Sequence, residues 1–291
     1  MADTDPSDAD VLYHYTNTYG LLGIITNLTL WATDASYLND AQEMRYGRAE
    51  VVEALNVEGQ RLIDSEGPPG GGAEYSRGTV MRSAANTVRT DTPPDGQAPA
   101  SVYVTCFCSD GDLLSQWRGY AEGSGFAVGF RRDYLEGLQW PNGRPGTGPD
   151  PTPGPELVKV RYGPTAVAAL TQRVTAEIQP HPTGHPNATG WGRAQDFVWP
   201  ALATIKHEAF REEQESRLIL ARPAAESPLR FRSGPLGVTP YVEIRFDAAA
   251  IAEVILGPGP DQPLRTRAVH QLLHHAGCTA SVRGSTAPFR G

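Results

Sequence analysis

The sequence predicts a single α+β domain, with mixed or antiparallel sheets flanked by helices and Pro- and Gly-rich surface insertions. Three observations lead there. Short β-branched and aromatic runs at 101–109, 125–130, 217–221 and 241–246 recur too often for a regular strand–helix–strand winding. No Gly-rich phosphate loop of the dinucleotide-binding or P-loop kind is present. A chain of 291 residues, 40% of them hydrophobic, suffices for a substantial core, and no stretch separates two cores.

Residues 11–14 read as a strand that ends in His14-Tyr15-Thr16. Residues 17–27 read as a short helix capped by Thr16 or Asn17, and 28–33 as a strand. A long helix starts at Asn39-Asp40, where Asp40 and Glu43 have capping-box spacing and Met44, Val51, Leu55 and Leu62 share one face. Residues 101–109 are a strand, 113–121 a helical turn, and 125–130 and 157–162 further strands. Val167, Leu170, Val174 and Ile178 have helical spacing. Residues 194–213 read as one helix kinked at Pro200. Strands follow at 217–221, 241–246 and 253–256, then a helix at 264–275. In the strand at 241–246, Val242, Ile244 and Phe246 alternate with Glu243 and Arg245, which predicts one wet face.

The domain is expected over 11–284, between a loose acidic tail at 1–10 and a second tail at 285–291. Loop insertions are expected at about 66–100 (with a short helical piece around Val80–Val88), 141–156 and 180–192, where Pro and Gly are dense.

A formal net charge of -8 argues against a general nucleic-acid binder. Of the 25 basic residues only Lys159 and Lys206 are lysine. No apolar run approaches the roughly 18 residues that span a bilayer, and no signal-peptide pattern appears, so no membrane is expected. Three cysteines without a secretory signal predict reduced thiols and a cytoplasmic location. Cys106 and Cys108, two apart in a strand, form one stripe with Val102 and Val104 and read as core thiols. His270 and His274 have metal-ligand spacing, but no third ligand completes a set, so no metal is expected.

Four clusters can carry chemistry. His14, Tyr15 and Thr16 offer an imidazole and two hydroxyls at a strand end, suited to a ribose or diphosphate. Glu213-Gln214-Glu215 precedes a strand; if already extended, it turns both carboxylates to one side, where repulsion raises one pKa. A solvated helix end explains the same residues. In Ser115-Gln116-Trp117-Arg118-Gly119-Tyr120, Arg118 suits a diphosphate and Trp117 or Tyr120 a stacked base or nicotinamide. That segment can equally be an aromatic helix packed on the core, with Arg118 tied to a carboxylate such as Asp40. Asn39 with Asp40 and Glu43 caps a helix and can shape a pocket.

The set His14-Tyr15-Thr16, Gly20-Leu21, Leu30-Trp31-Ala32-Thr33, Leu38-Asn39-Asp40 and Glu43 resembles the N-terminal half of the bacterial family catalogued as domain of unknown function 2971. Cys106-Phe107-Cys108-Ser109, Trp117, Tyr120-Ala121, Gly125 and Phe130 resemble its central block. Glu213, Glu215 and Arg217-Leu218 resemble its acidic block, and Ile255-Leu256-Gly257-Pro258 its closing strand. More distantly, a strand ending in histidine followed by a helix is similar to the start of ADP-ribosyltransferase-like domains. That resemblance implies NAD as substrate and cleavage of the nicotinamide bond. It assigns His14 to ribose, Tyr15, Thr16, Ser115, Trp117, Arg118, Tyr120 and Asn39 to substrate binding, Glu215 to the oxocarbenium-like state and Glu213 to the acceptor. The Ser-Thr-Ser strand motif of that superfamily is absent; Thr105-Cys106-Phe107-Cys108-Ser109 stands in its place, and no middle tyrosine is assigned.

The leading expectation is an NAD-cleaving enzyme passing ADP-ribose to a protein, a nucleic acid or water, in a toxin or phage-defence setting with an antitoxin or immunity partner. Two other readings stand beside it. In one, a non-catalytic nucleotide-sensing or protein-binding module has Glu213, Glu215, Arg118 and Asp40 as a buried ion network. In the other, a metal-independent nuclease works through His14 and Glu215.

Overall fold

Residues Ala100–Cys108 form the strand on which the sheet is built. Their alternation sends Tyr103 and Phe107 to one face and Val102, Val104 and Cys106 to the other, and each face belongs to a different core. A computed structural model describes residues 10–38, 41–65, 73–90, 100–120, 125–138, 154–178, 197–223, 228–234 and 236–288.

In chain order the strands are β1 (Val11–Thr16), β2 (Thr29–Asp34), β3 (Ala100–Cys108), β4 (Phe126–Arg131), β5 (Glu156–Lys159), β6 (Arg161–Tyr162), β7 (Ile205–Lys206), β8 (Glu215–Pro223), β9 (Arg230–Gly234), β10 (Gly237–Arg245), β11 (Ile251–Leu256) and β12 (Ser281–Gly284). The helices are α1 (Thr18–Asn27), α2 (Ala41–Ser65), α3 (Ala73–Thr90), α4 (Leu114–Tyr120), α5 (Arg132–Glu136), α6 (Gly163–Glu177), helical residues 197–202 (α7) and α8 (Gln262–His275). The fold is a single mixed α+β domain. Among the described residues ten strands join in one sheet, running β12-β11-β4-β1-β3-β2-β10-β9, with β8 along β3 and β5 along β8. Only the β11–β12 pair in it is parallel. β6 and β7 form a separate parallel pair.

The first core packs α1 and α8 on one face, through Leu21, Ile25, Val269 and Leu273 against Leu12, Tyr103, Phe107, Leu218 and Val242. The second packs α2, α3, α6 and α7 on the other, through Val51, Leu55, Met81, Val88, Leu170, Val174 and Leu202 against Val102, Val104 and Ile219. Asn17 caps α1, accepting from the Gly20 amide.

The edge of β3 opposite β8 is shared. Cys108 pairs with Tyr13 of β1, while Val104 and Tyr103 pair with Thr33 and Asp34 of β2. β1 continues along β4 through Thr16, and β2 continues along β10. The sheet therefore forks, with β1 and β2 as its arms and residues 105–107 of β3 at its root. Side chains close the fork: the His14 Nδ1 proton is donated to the Cys106 carbonyl (2.9 Å), and Thr105 Oγ1 donates to the Trp31 carbonyl (3.3 Å).

Several expectations are corrected. Residues 194–213 are not one helix. The chain turns at Ala203-Thr204, where Thr204 Oγ1 donates to the Ala201 carbonyl (2.7 Å), then extends as β7 and forms a 3₁₀ turn at Glu208–Glu213. The expected insertion at 66–100 contains α3, eighteen residues long, with Val80, Met81, Ala84, Ala85 and Val88 buried at helical spacing. Strands β9 and β12 were not anticipated, and Val160 interrupts the strand expected at 157–162. The expected tail at 285–291 begins with residues held to Asp112, which accepts from Ser285 Oγ and from the Thr286 amide (2.7 Å). Asn39 and Asp40, residues 141–153 of the insertion expected at 141–156, all of that expected at 180–192, and the side chains of Glu43 and Met44 lie outside the described residues.

α2 and α3 approach closely where Gly59 faces Gly78: a Cβ on Gly78 would lie 2.4 Å from the Gly59 carbonyl oxygen and 2.8 Å from an Ile63 side-chain carbon. Gly78→Ala is expected to force these helices apart and to lower stability by about 1–3 kcal/mol in chemical denaturation. The same substitution at exposed Gly119, where a Cβ meets nothing within 4 Å, is expected to be neutral or stabilising.

Candidate functional site

Three blocks far apart in the chain lie side by side at one end of the sheet. Tyr13 of β1 pairs with Cys108 of β3, and Cys108 pairs with Glu215 of β8, so the three form one row across adjacent strands. With neighbouring strands about 4.8 Å apart, the row is about 10 Å wide.

Side-chain alternation decides what the row can assemble. Residues directly opposite share a face, so Tyr13, Cys108 and Glu215 point to one side. His14 points to the other, its ring 5.9 Å from that of Phe107. His14 and Glu215, expected to line one cleft, are thus on opposite faces with the β3 backbone between them. Burial lowers the His14 pKa, the Cys106 hydrogen bond raises it and Arg232 lowers it, with a net downward shift. The ring is neutral and carries its proton on Nδ1 toward Cys106.

Glu215 is sequestered. Its side chain is 3% exposed; Oε1 accepts from Arg217 Nε (2.6 Å), and Oε2 from Arg217 Nη2 (3.0 Å) and Lys206 Nζ (3.2 Å). Its amide donates to Tyr162 Oη (2.9 Å), and Arg217 Nη1 donates to the Ala203 carbonyl (2.6 Å). Glu213, 13% exposed, accepts from the same Lys206 Nζ (2.7 Å), which also lies 4.8 Å from the Phe210 ring centroid. Among the described residues, two carboxylates and two cations balance in this cluster. Glu215 is not the carboxylate whose pKa rises: burial pushes it up, but the charge and hydrogen bonds of Arg217, with Lys206, outweigh it and hold it at about 2. The extended geometry expected for Glu213-Gln214-Glu215 is corrected too. Glu213 ends a 3₁₀ turn and Gln214 is left-handed (φ 41°), and Lys206 draws the carboxylates together. Arg118, expected in this network, is exposed instead, and Asp40 lies outside the described residues.

The central block is mostly core. Trp117 is buried, donates Nε1–H to Asp112 Oδ1 (2.8 Å), and stands edge-on to Tyr15 at 4.7 Å, so it is no stacking platform. Tyr15 is buried as well; its hydroxyl donates to the Asp110 carbonyl and accepts from the Leu113 amide. Ser115, Arg118 and Tyr120 are exposed, and Thr16 is half-buried at the end of β1. Burial pushes the Cys106 and Cys108 thiols up, as inert core thiols require.

A polar cleft of about 530 Å³ opens at this sheet end, lined by Tyr13, Ser109, Asp110, Gly111, Leu113, Glu212, Gln214 and Arg283. Ser109 Oγ donates to Gln214 Oε1 (2.9 Å), joining the turn after β3 to the segment before β8. Tyr13 Oη donates to Glu253 Oε1 (2.6 Å), whose other oxygen pairs with Arg283 Nε (2.9 Å). Burial first and Glu253 second push the Tyr13 hydroxyl up to about 12. Gly111 lets the turn lie against Tyr13; a Cβ there would be 2.4 Å from its ring. A larger groove of about 630 Å³ between α2 and α3, lined by Asn56, Gln60, Arg82, Asn86 and Arg89 among others, contains none of the expected site residues, so the smaller cleft is the better candidate.

Tyr13, Ser109, Gln214, Glu253 and Arg283 were not singled out in the sequence. Lys206 left a signal there: in a chain whose basic residues are otherwise almost all arginine, a lysine is kept where one compact ammonium meets two carboxylates. Among the described residues no group of three or more His, Cys, Asp or Glu can hold a metal ion, and no helix is long and apolar enough to cross a membrane.

Residues 116–218 match a family described as a protein of unknown function (DUF2971). The match runs from α4 into β8, so it contains Trp117, Glu213 and Glu215 but not the His14 block. Neither a curated protein nor a solved structure matches the chain.

Glu215→Gln leaves Lys206 and Arg217 short of one anion in the interior and is expected to cost about 3–5 kcal/mol, read from denaturation midpoints. The Glu215 carboxyl has a folded pKa below the ordinary 4.5, so its stabilisation is complete above 4.5 and lost as pH falls from there toward 2. Wild type is expected to lose stability across that window, and a folded Glu215→Gln variant to lose less.

Proposed function

We propose that the chain is an ADP-ribosyltransferase-like enzyme that takes NAD into the cleft between Tyr13, Ser109 and Glu212–Gln214 and cleaves the nicotinamide bond. The observation that supports this best is the row Tyr13–Cys108–Glu215, which sets the histidine-bearing strand, the central strand and the acidic block next to one another at the end where the cleft opens. A volume of about 530 Å³ is in the range of small-molecule sites. In this reading the bond from ribose C1′ to nicotinamide N1 breaks, and its electron pair leaves with neutral nicotinamide. The oxocarbenium-like carbon is captured by a hydroxyl of a macromolecule or by water, which gives up its proton.

The carboxylate assigned to this step is Glu213 rather than Glu215. Glu213 is 13% exposed between the cleft residues Glu212 and Gln214, whereas Glu215 is 3% exposed with both oxygens held by cations. A carboxylate so sequestered contributes little to a positive charge that develops in the cleft. Glu215 and Lys206 are positioning residues: they anchor the chain that carries Glu213. His14 holds the fork rather than the ribose.

The same compensation of Glu215 favours a second reading, a nucleotide-sensing module without turnover. Nicotinamide release from NAD, followed with and without candidate acceptors, separates the two. The enzyme reading expects release by wild type and a loss of roughly a hundredfold or more in Glu213→Gln with the fold intact. Saturable NAD binding without release supports the sensing module, and neither binding nor release overturns both.

A further inference from the structure

The β9–β10 hairpin carries the core face of the sheet beyond its helical cover. Phe231 pairs with Pro240 and Ser233 with Val238, so Phe231, Val238 and Pro240 share one face. Along β10 that face continues as Val242 and Ile244, both fully buried in the first core. On the hairpin it is bare: Phe231 is 62% exposed, Val238 66% and Leu236, in the turn, 69%. Apolar side chains clustered so on a surface mark contact sites.

The opposite face is cationic. Arg230 pairs with Glu243 (3.1 Å), while Arg232 donates to Thr33 Oγ1 (2.9 Å) and meets no carboxylate among the described residues. β9 is the last strand of the sheet and pairs with β10 alone among the described residues, so every second backbone N–H and C=O points outward. An edge of this kind accepts an added strand.

A second copy of this chain does not suit it. Antiparallel pairing of two β9 strands about their midpoint sets Arg232 against Arg232, and like charges directly opposite are destabilising. We propose that β9 is a docking edge for an extended segment of a partner protein that alternates apolar and acidic residues. Its backbone completes the ladder, its apolar side chains cover Phe231 and Val238, and its carboxylates face Arg232.

The test uses the full chain and fluorescent peptides of alternating Glu and Val, with alternating Lys and Val as the control, read by anisotropy. The Glu–Val peptide is expected to bind saturably, at least about tenfold tighter than the Lys–Val peptide, and more weakly as salt rises. Arg232→Glu and Phe231→Ser are each expected to weaken it about tenfold or more while circular dichroism is unchanged. Exchange of the β9 amides is expected to slow in the complex. Absent or equal binding of the two peptides, or binding indifferent to Arg232→Glu, overturns the proposal. So does concentration-dependent dimerisation abolished by Phe231→Ser, which assigns the face to a second copy, or binding to anionic vesicles lost in the same variants, which assigns it to a lipid surface.

Discussion

The whole arrangement depends on one constraint, that two strands share a single edge of β3. Cys108 pairs with β1 and Val104 with β2, and among the described residues no strand pairs with 105–107 on that side. Backbone polar groups left there would be costly, so side chains supply the missing partners, His14 for the Cys106 carbonyl and Thr105 for the Trp31 carbonyl. An imidazole that satisfies a carbonyl must carry its proton on the bonding nitrogen, and burial keeps it neutral. The residue that first suggests ligand chemistry is thereby committed to architecture.

The other edge of β3 is covered along its full length by β8, which brings Glu215 into the interior. A lone buried carboxylate is untenable there. Arg217, two residues along the same strand, answers it bidentately, and Lys206 reaches it from β7. Pairing of β7 with β6 places Lys206 beside Tyr162, whose hydroxyl holds the Glu215 amide. Glu213, between the cleft residues Glu212 and Gln214, is then drawn in by the same ammonium.

Much of this was legible in the residues, and the failures share a cause. The alternation in 101–109 and 241–246, the Asn17 cap and the helical face of Val167, Leu170 and Val174 are local, and the structure agrees with them. The turn at Ala203-Thr204 was hidden because its stabilising partner, β6, lies some forty residues upstream. Repulsion of the carboxylate pair follows from the sequence only while Lys206, nine residues before Glu215, belongs to a helix. That His14 and Tyr13 face opposite ways follows from the strand period; which of them faces Glu215 depends on the register with Cys108, a long-range fact. Trp117 and Tyr120 show the same limit, since nothing local distinguishes an aromatic in the core from one on the surface.

We propose that ligand chemistry occurs where the turn after β3 meets the segment before β8, and not on the His14 face of the fork. Hydrogen exchange with and without NAD tests it most directly. NAD is expected to slow exchange of the amides at 109–113 and 212–214, with 14–16 and the α2–α3 groove unchanged. Protection confined to the His14 side, to the α2–α3 groove, or to neither would contradict it.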